Sequence, residues 1–304
     1  MSDEARIALR DSLVRAGLLI ATGVEGVFGR SGLFERIVEG FCDLVDAEAA
    51  NDGAEVMRFP PVVTRADFER SGYMKSFPQL VGTVHAFNGN ERDHATLLRR
   101  LEAGEDWTAG QAATGVVFTP AACYPAYPAL AARGALSAEG ALIDITSWCF
   151  RHEPSLDPAR MQLFRQKEFV RVGAPDQVIA FRDLWKTRGE AIIAGLRLPL
   201  VIEVANDPFF GRAGRMLASS QREQALKFEL LVPIASDIAP TACCSFNYHQ
   251  DHFGHAWDIR RDDGTPAHTA CVGFGLEHIT LALLRHHGLD VPAWPADIRT
   301  ALGL

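Results

Sequence analysis

The stretch FRHEPSLDPARMQLFRQKEF, residues 150–169, constrains this chain more than any other. It opens with Phe-Arg-x-Glu and closes with Phe164, Arg165 and, four residues later, Phe169. Pro154 and Pro158 lie between the two halves. Proline donates no backbone hydrogen bond, so the chain has to leave any sheet there. Apolar runs on both sides, 141–150 and on through Val172, read as strands. The whole is therefore an antiparallel hairpin with a long loop. On a strand, residues two apart share a face, so Arg151 and Glu153 project together. An arginine forks onto phosphate, and a glutamate accepts from an amino group. Phe169 offers a flat surface for a base. Together these suit a nucleotide with a reactive α-phosphate. Taken alone, Arg-x-Glu reads more simply as solvated surface charge.

The flanking pattern sets the fold class. Leu33, Phe34, Ile37, Val38, Phe41, Cys42 and Val45 recur at helical spacing behind Ser31, a capping residue. Residues 55–59 read as a strand that Pro60 and Pro61 must end. Further strands are expected at 114–119, 198–204, 227–233, 256–260 and 269–274, with helices at 177–196, about 213–225 and 276–287. Gly288 closes the last of these. Helices are inserted among strands without a repeating βαβ rhythm, so the class is α+β with a mainly antiparallel sheet flanked by helices.

Composition narrows the function. The 304 residues give room for one large catalytic domain or two small ones. With 48% hydrophobic and 22% charged residues, the chain has an ordinary globular balance. It has no apolar run long enough to span a membrane. The short patch at 16–24 follows Asp3, Glu4 and Asp11, which does not suit a secretion signal. The six cysteines show no CxxC pairing, so reduced thiols in the cytoplasm are expected. A net charge of −8 argues against a long nucleic-acid partner, which demands a basic surface.

Three other segments could carry chemistry. Residues 271–278, CVGFGLEH, run from a strand into a helix through Gly273 and Gly275, where a backbone can approach a ligand closely. TPAACYPAYP, 119–128, sets Cys123 among prolines. SFNYHQDHFG, 245–254, together with His255, brings His249, Asp251, His252 and His255 near one another. That group reads equally as a metal cluster or a polar loop.

In order, these features resemble motifs 1, 2 and 3 of the class II aminoacyl-tRNA synthetase catalytic core, in its atypical, zinc-dependent seryl form. MRFPPVVTRADFERSGY, TPAACYPAYP and SFNYHQDHFG narrow the resemblance to the truncated relatives called amino acid:carrier-protein ligases. It covers roughly residues 20–290. The resemblance implies a single catalytic domain that binds ATP and a small amino acid of the glycine or alanine class. Such an enzyme makes an aminoacyl adenylate and passes the aminoacyl group to the phosphopantetheine thiol of a small acidic carrier protein. It implies Zn2+ held by Cys123, Glu168 and Cys271, and Mg2+ with ATP, for which Glu229 is a candidate ligand. Arg151 and Glu153 would be catalytic. ATP would also meet Arg165, Phe169, Glu229 and His278.

The segment at about 206–226, with Arg212, Arg215 and Arg222, would dock the carrier protein. A homodimer formed around residues 31–61, a cytoplasmic location and no tRNA partner are further expectations, since the synthetase's tRNA-binding domain has no counterpart here. One position departs from the family: motif 3 ends in arginine, and this chain has His278. Weaker ATP binding, a substitute arginine, or loss of activation would each account for that. The alternative function is therefore a catalytically weakened or inactive paralogue that binds zinc and a partner protein.

Overall fold

Two hydrophobic periods build the core, one of two residues along a seven-stranded sheet and one near 3.6 along the helices that cover a single face of it. The computed structural model describes residues 3–304, with the side chains of Asp3, Arg212 and Ala213 outside the described set. Helix α1 spans Asp3–Arg15 and α2 spans Gly32–Ala49. Ser31 caps α2 by accepting from the Phe34 amide, and Phe34, Ile37, Val38, Phe41 and Val45 form its buried stripe.

The main sheet begins with β1, Glu55–Met57, which stops before Pro60. Strands β2 (Ala141–Phe150) and β3 (Leu163–Gly173) are the arms of the hairpin. Helix α3 (Pro175–Gly195) and strand β4 (Val201–Val204) follow. Next come α4 (Gly211–Glu223), β5 (Lys227–Val232) and β6 (Thr241–Gln250). The described chain continues through α5 (His252–Trp257), β7 (His268–Gly275) and α6 (Leu276–His287). The strand order is β1-β2-β3-β7-β6-β5-β4. Every pairing is antiparallel except β1 with β2.

Register decides which side chains face which way. β3 pairs without a break on both sides, Ile145 and Gly273 lying opposite Glu168, and Asp144 and Val272 opposite Phe169. With no bulge there, neighbours along β3 alternate strictly between faces. One face meets α2, α3 and α6. Phe169 stacks on Trp185 of α3 at 4.7 Å, and Phe274 of β7 meets Trp185 and Phe41 of α2. Gly189 of α3 lies directly over Phe246. A Cβ there would come within 2.8 Å of the ring, so glycine sets the helix-to-sheet spacing. The other face opens onto a cavity.

Two sequence expectations need correction. Residues 256–260 are not a strand: α5 occupies His252–Trp257, Asp258 turns left-handed, and Arg260 only bridges Pro266. The alternation of Trp257 and Ile259 suggested a strand, but Phe253 and Trp257, four apart, are buried together on a helix. Residues 245–250 form part of β6 rather than a loop. The mixed region 83–104 contains strand Thr83–Phe87, an edge of a separate three-stranded sheet, and helix Glu91–Glu102.

Candidate active site

The open face of the sheet walls a cavity of about 830 Å³, within the usual range for a ligand pocket. Because β3 alternates, it sends Phe164, Gln166 and Glu168 into this space. β7 supplies Cys271, Gly273 and Gly275. β6 supplies Ser245, Asn247 and His249, and β5 supplies Lys227 and Glu229. Gly273, opposite Glu168, keeps the carboxylate uncrowded: a Cβ there would sit 3.4 Å from Glu168 Cγ.

At one end, Cys123, Glu168 and Cys271 place their donor atoms within 4.8 Å of one another, and all three are buried. Burial pushes the Glu168 carboxyl up to about 8, and the Cys271 charge adds to the shift. A hydrogen bond from Cys123 holds the Cys271 thiol well below its usual value, helped by His249 and Asn247. The same bond, with burial, holds Cys123 up. Glu168 Oε1 accepts from the Ala122 amide at 3.1 Å, while Oε2 is buried with no hydrogen-bond partner. An orphaned buried carboxylate oxygen beside two sulfurs is costly unless a cation completes the group. Two thiolates and a carboxylate are a donor set that suits zinc, so the residues fit that ion. Asn247 Nδ2 approaches Cys271 Sγ at 3.4 Å and would orient that sulfur.

Farther along, Arg151 and Glu153 both line the cavity. They do so from just beyond the end of β2, where the Glu153 amide bonds the Arg151 carbonyl in a tight turn, and not as strand neighbours. Arg151 Nε donates to the Pro120 carbonyl at 3.0 Å, and its guanidinium lies 5.2 Å over the Phe164 ring. Glu153 takes an ion pair from Arg160 at 3.3 Å. Lys227 is held by Asp207 at 2.6 Å and Glu229 at 2.9 Å. Burial alone would raise the Asp207 carboxyl, but Lys227 outweighs it and the group is held low. His278 lines the cavity as well and meets Phe164 edge-on at 5.5 Å.

Two expected nucleotide contacts are not in this cavity. Phe169 faces the helices, stacked on Trp185 and 1% exposed. Arg165 also points to the helix face, where it binds Glu35 at 2.6 Å and the fully buried Glu277 at 2.8 Å. Parity along the unbulged strand forbids either from sharing a face with Glu168. The aromatic wall belongs instead to Phe164, four residues before Glu168. Gln166 and Asp207 are cavity residues that the sequence reading missed, while Tyr124, Ser245 and Asn247 enter from the two segments singled out for chemistry; Lys227, expected beside the arginines of the docking segment, is instead buried between two carboxylates.

The histidine-rich segment is not a metal cluster among the described residues. His252 reaches the Ser71 carbonyl at 3.1 Å, His255 pairs with Asp251, and His249 lies beside Cys271. In the segment ahead of β5, Arg215 and Arg222 are exposed on α4, and Arg222 bonds Asn206 at 2.6 Å. The Arg212 side chain lies outside the described residues.

No family model matches the chain. Two proteins of Bradyrhizobium diazoefficiens are similar over nearly its whole length. Amino acid–acyl carrier protein ligase 1 is 47% identical, covering 94% of this chain and 88% of that protein. Ligase 2 is 49% identical, covering 93% and 84%. Among solved structures, the Methanopyrus kandleri seryl-tRNA synthetase, in complex with Aquifex aeolicus selenocysteine tRNA, superposes with a TM-score of 0.82 at 21% identity. It covers 97% of this chain, which spans 60% of the synthetase chain.

Proposed function

The chain belongs to the amino acid–acyl carrier protein ligases, on a class II aminoacyl-tRNA synthetase fold, and from that premise we propose that it activates a glycine- or alanine-class amino acid with ATP and loads it onto a phosphopantetheine thiol. One observation carries this reading: the Cys123–Glu168–Cys271 group and Arg151 open into the same cavity.

In the first step a carboxylate oxygen of the amino acid attacks the α-phosphorus of ATP, the bond to the β-phosphate breaks, and pyrophosphate leaves. Arg151, braced by the Pro120 carbonyl and the Phe164 ring, faces the charge that grows on the α-phosphate. Phe164 offers its face to the base, and Glu153 accepts from its amino group. Glu229 is the candidate to share a magnesium ion with the phosphates, and Lys227 beside it adds positive charge. In the second step the carrier's sulfur attacks the acyl carbon, a thioester forms, and AMP leaves with the electron pair of the broken C–O bond. Cys123, Glu168 and Cys271 would hold zinc, which supplies an open Lewis-acid position suited to a free α-amino group.

We read the chain as one catalytic domain, with α4 and its flanks as the carrier-docking element. Exposed Arg215 and Arg222 suit an acidic partner, and Phe210, Met216 and Leu217 add exposed apolar contact. A homodimer around residues 31–61 is supported by the edge strand β1, whose Val56 is exposed. The net charge of −8 supports the absence of a tRNA partner. No described helix is long and apolar enough to cross a membrane, and reduced cysteines support a cytoplasmic setting.

Amino-acid-dependent exchange of pyrophosphate into ATP tests this reading, with glycine, alanine and serine in the presence of zinc. Exchange with a small amino acid is expected. Absence of exchange with all three, in protein shown to hold its metal, would favour the inactive paralogue.

A further inference from the structure

The transfer step needs a proton acceptor. A free thiol ionises only near pH ~8.5, so at neutral pH the incoming sulfur is mostly protonated and attacks poorly until that proton leaves. Most polar groups of the cavity are already committed. Glu153 is paired with Arg160, Glu229 and Asp207 share Lys227, and Cys123, Glu168 and Cys271 form the candidate metal group. His249 has both ring nitrogens engaged, Nδ1 at Thr269 Oγ1 and Nε2 beside Cys271 Sγ. His278 Nδ1 is unpartnered, but it is buried against Gly275 and its ring stands edge-on to Phe164, at the end read as the nucleotide site.

His252 is different. Its Nε2 meets the Ser71 carbonyl at 3.1 Å, and a carbonyl only accepts, so that nitrogen carries the ring proton. Nδ1 is left as the accepting nitrogen. It has no hydrogen-bond partner and, unlike His278 Nδ1, it is not sealed by its neighbours. Burial lowers the ring below its usual value and keeps it neutral at pH 7. The Ser71 carbonyl and Asp251 oppose that shift, and His249 adds to it.

Its position suits an arriving thiol. Phe253 of α5 packs the His249 ring and the His252 ring at 4.9 Å each, and His249 borders Cys271. On its other side, Ser71 leads along the chain to Phe77, which stacks on Phe209 at 5.0 Å, while the Phe210 amide bonds the Ser76 carbonyl. Phe210 caps α4, the element read above as the carrier dock, and Leu217 and Gln221 of α4 line the same cavity as His252. His252 thus stands between the group read as holding the amino acid and the element read as delivering the thiol.

We propose that His252 Nδ1 is the general base of the transfer step. The proposal rests on the ligase reading above. The S–H proton passes to Nδ1, sulfur bonds the acyl carbon, and AMP leaves with the electron pair of the broken C–O bond; the imidazolium then gives its proton to solvent. The test uses the full-length protein with ATP, alanine or glycine, and pantetheine as the acceptor thiol. Thioester formation is followed by mass spectrometry, and pyrophosphate exchange, which involves no thiol, is measured on the same samples. His252→Ala is expected to slow thioester formation about 100-fold at pH 7, in the range of a lost general base, with exchange within about twofold of wild type. Added imidazole should restore part of the rate, and the gap should close above pH ~8.5, where the thiol ionises unaided. Unchanged thioester formation in His252→Ala overturns the proposal and leaves the adenylate's own phosphate to take the proton. A loss that neither imidazole nor raised pH relieves also overturns it, as does an equal fall in exchange, because each marks a residue that merely supports the site. A wild-type protein that loads no pantetheine refutes the thiol-transfer reading, and the proposal falls with it.

Discussion

The two faces of β3 carry similar side chains to opposite ends. On the helix face, Arg165 is bracketed by Glu35 and Glu277, and buried Lys167 by Asp46 and Asp144. Phe169 fills the core against Trp185. On the cavity face, Glu168 is just as buried but keeps an unpartnered oxygen, and Phe164 borders open space. Burial and charge therefore do not mark a functional residue by themselves. What separates the two faces of β3 is completion: its ionic groups on the helix side are paired, while Glu168 on its cavity side keeps an oxygen to be satisfied by a ligand.

Substitutions on each face should fail in different ways. The largest effect belongs to Glu168→Gln, which removes a proposed metal donor. Exchange activity is expected to fall by three orders of magnitude or more, on the order of 4 kcal/mol, with cooperative unfolding kept. Retained exchange together with bound metal would break the distinction. Arg165→Met removes one of two guanidinium groups on buried Glu277, leaving Arg30 paired to it at 3.2 Å. It should cost about 1–3 kcal/mol in a denaturant titration, with the kcat of the folded fraction little changed. A loss of kcat at unchanged stability would put Arg165 back in the site.

Arg151→Ala should lower kcat for exchange by about 10²–10³, with the melting temperature near that of the wild type. Charge reversal in Arg215→Glu should weaken transfer to the carrier about tenfold and spare exchange, since rim charges act mainly on encounter. Phe169→Leu should cost only about 1–1.5 kcal/mol of stability and leave the KM for ATP unchanged. A raised KM there would revive the expectation that Phe169 meets the base.

The sequence made the same comparison partly legible. Strand 141–150 and helix 276–287 are bounded as expected, because a turn follows the one at Pro154 and Gly288 stops the other. The three metal candidates came only through family resemblance. Cys123, Glu168 and Cys271 lie on separate elements, and no spacing rule joins them. Arg165 and Phe169 were misplaced although the rule that excludes them was available: on an unbroken strand they cannot share a face with Glu168. Whether the strand was unbroken was not readable, because a bulge leaves no dependable mark in one sequence. Strand β6 was missed although Cys244, Phe246 and Tyr248 alternate with Ser245, Asn247 and His249. The density of polar residues in that segment hid the period.

The central claim concerns where ligands sit, so anomalous diffraction at the zinc edge tests it most directly, on crystals grown with zinc and a non-hydrolysable ATP analogue. The expected result is an anomalous peak bounded by Cys123, Glu168 and Cys271, with the base against Phe164 and the α-phosphate at Arg151. A peak among His249, Asp251 and His255 instead, or a nucleotide on the Phe169 side of the sheet, would contradict it.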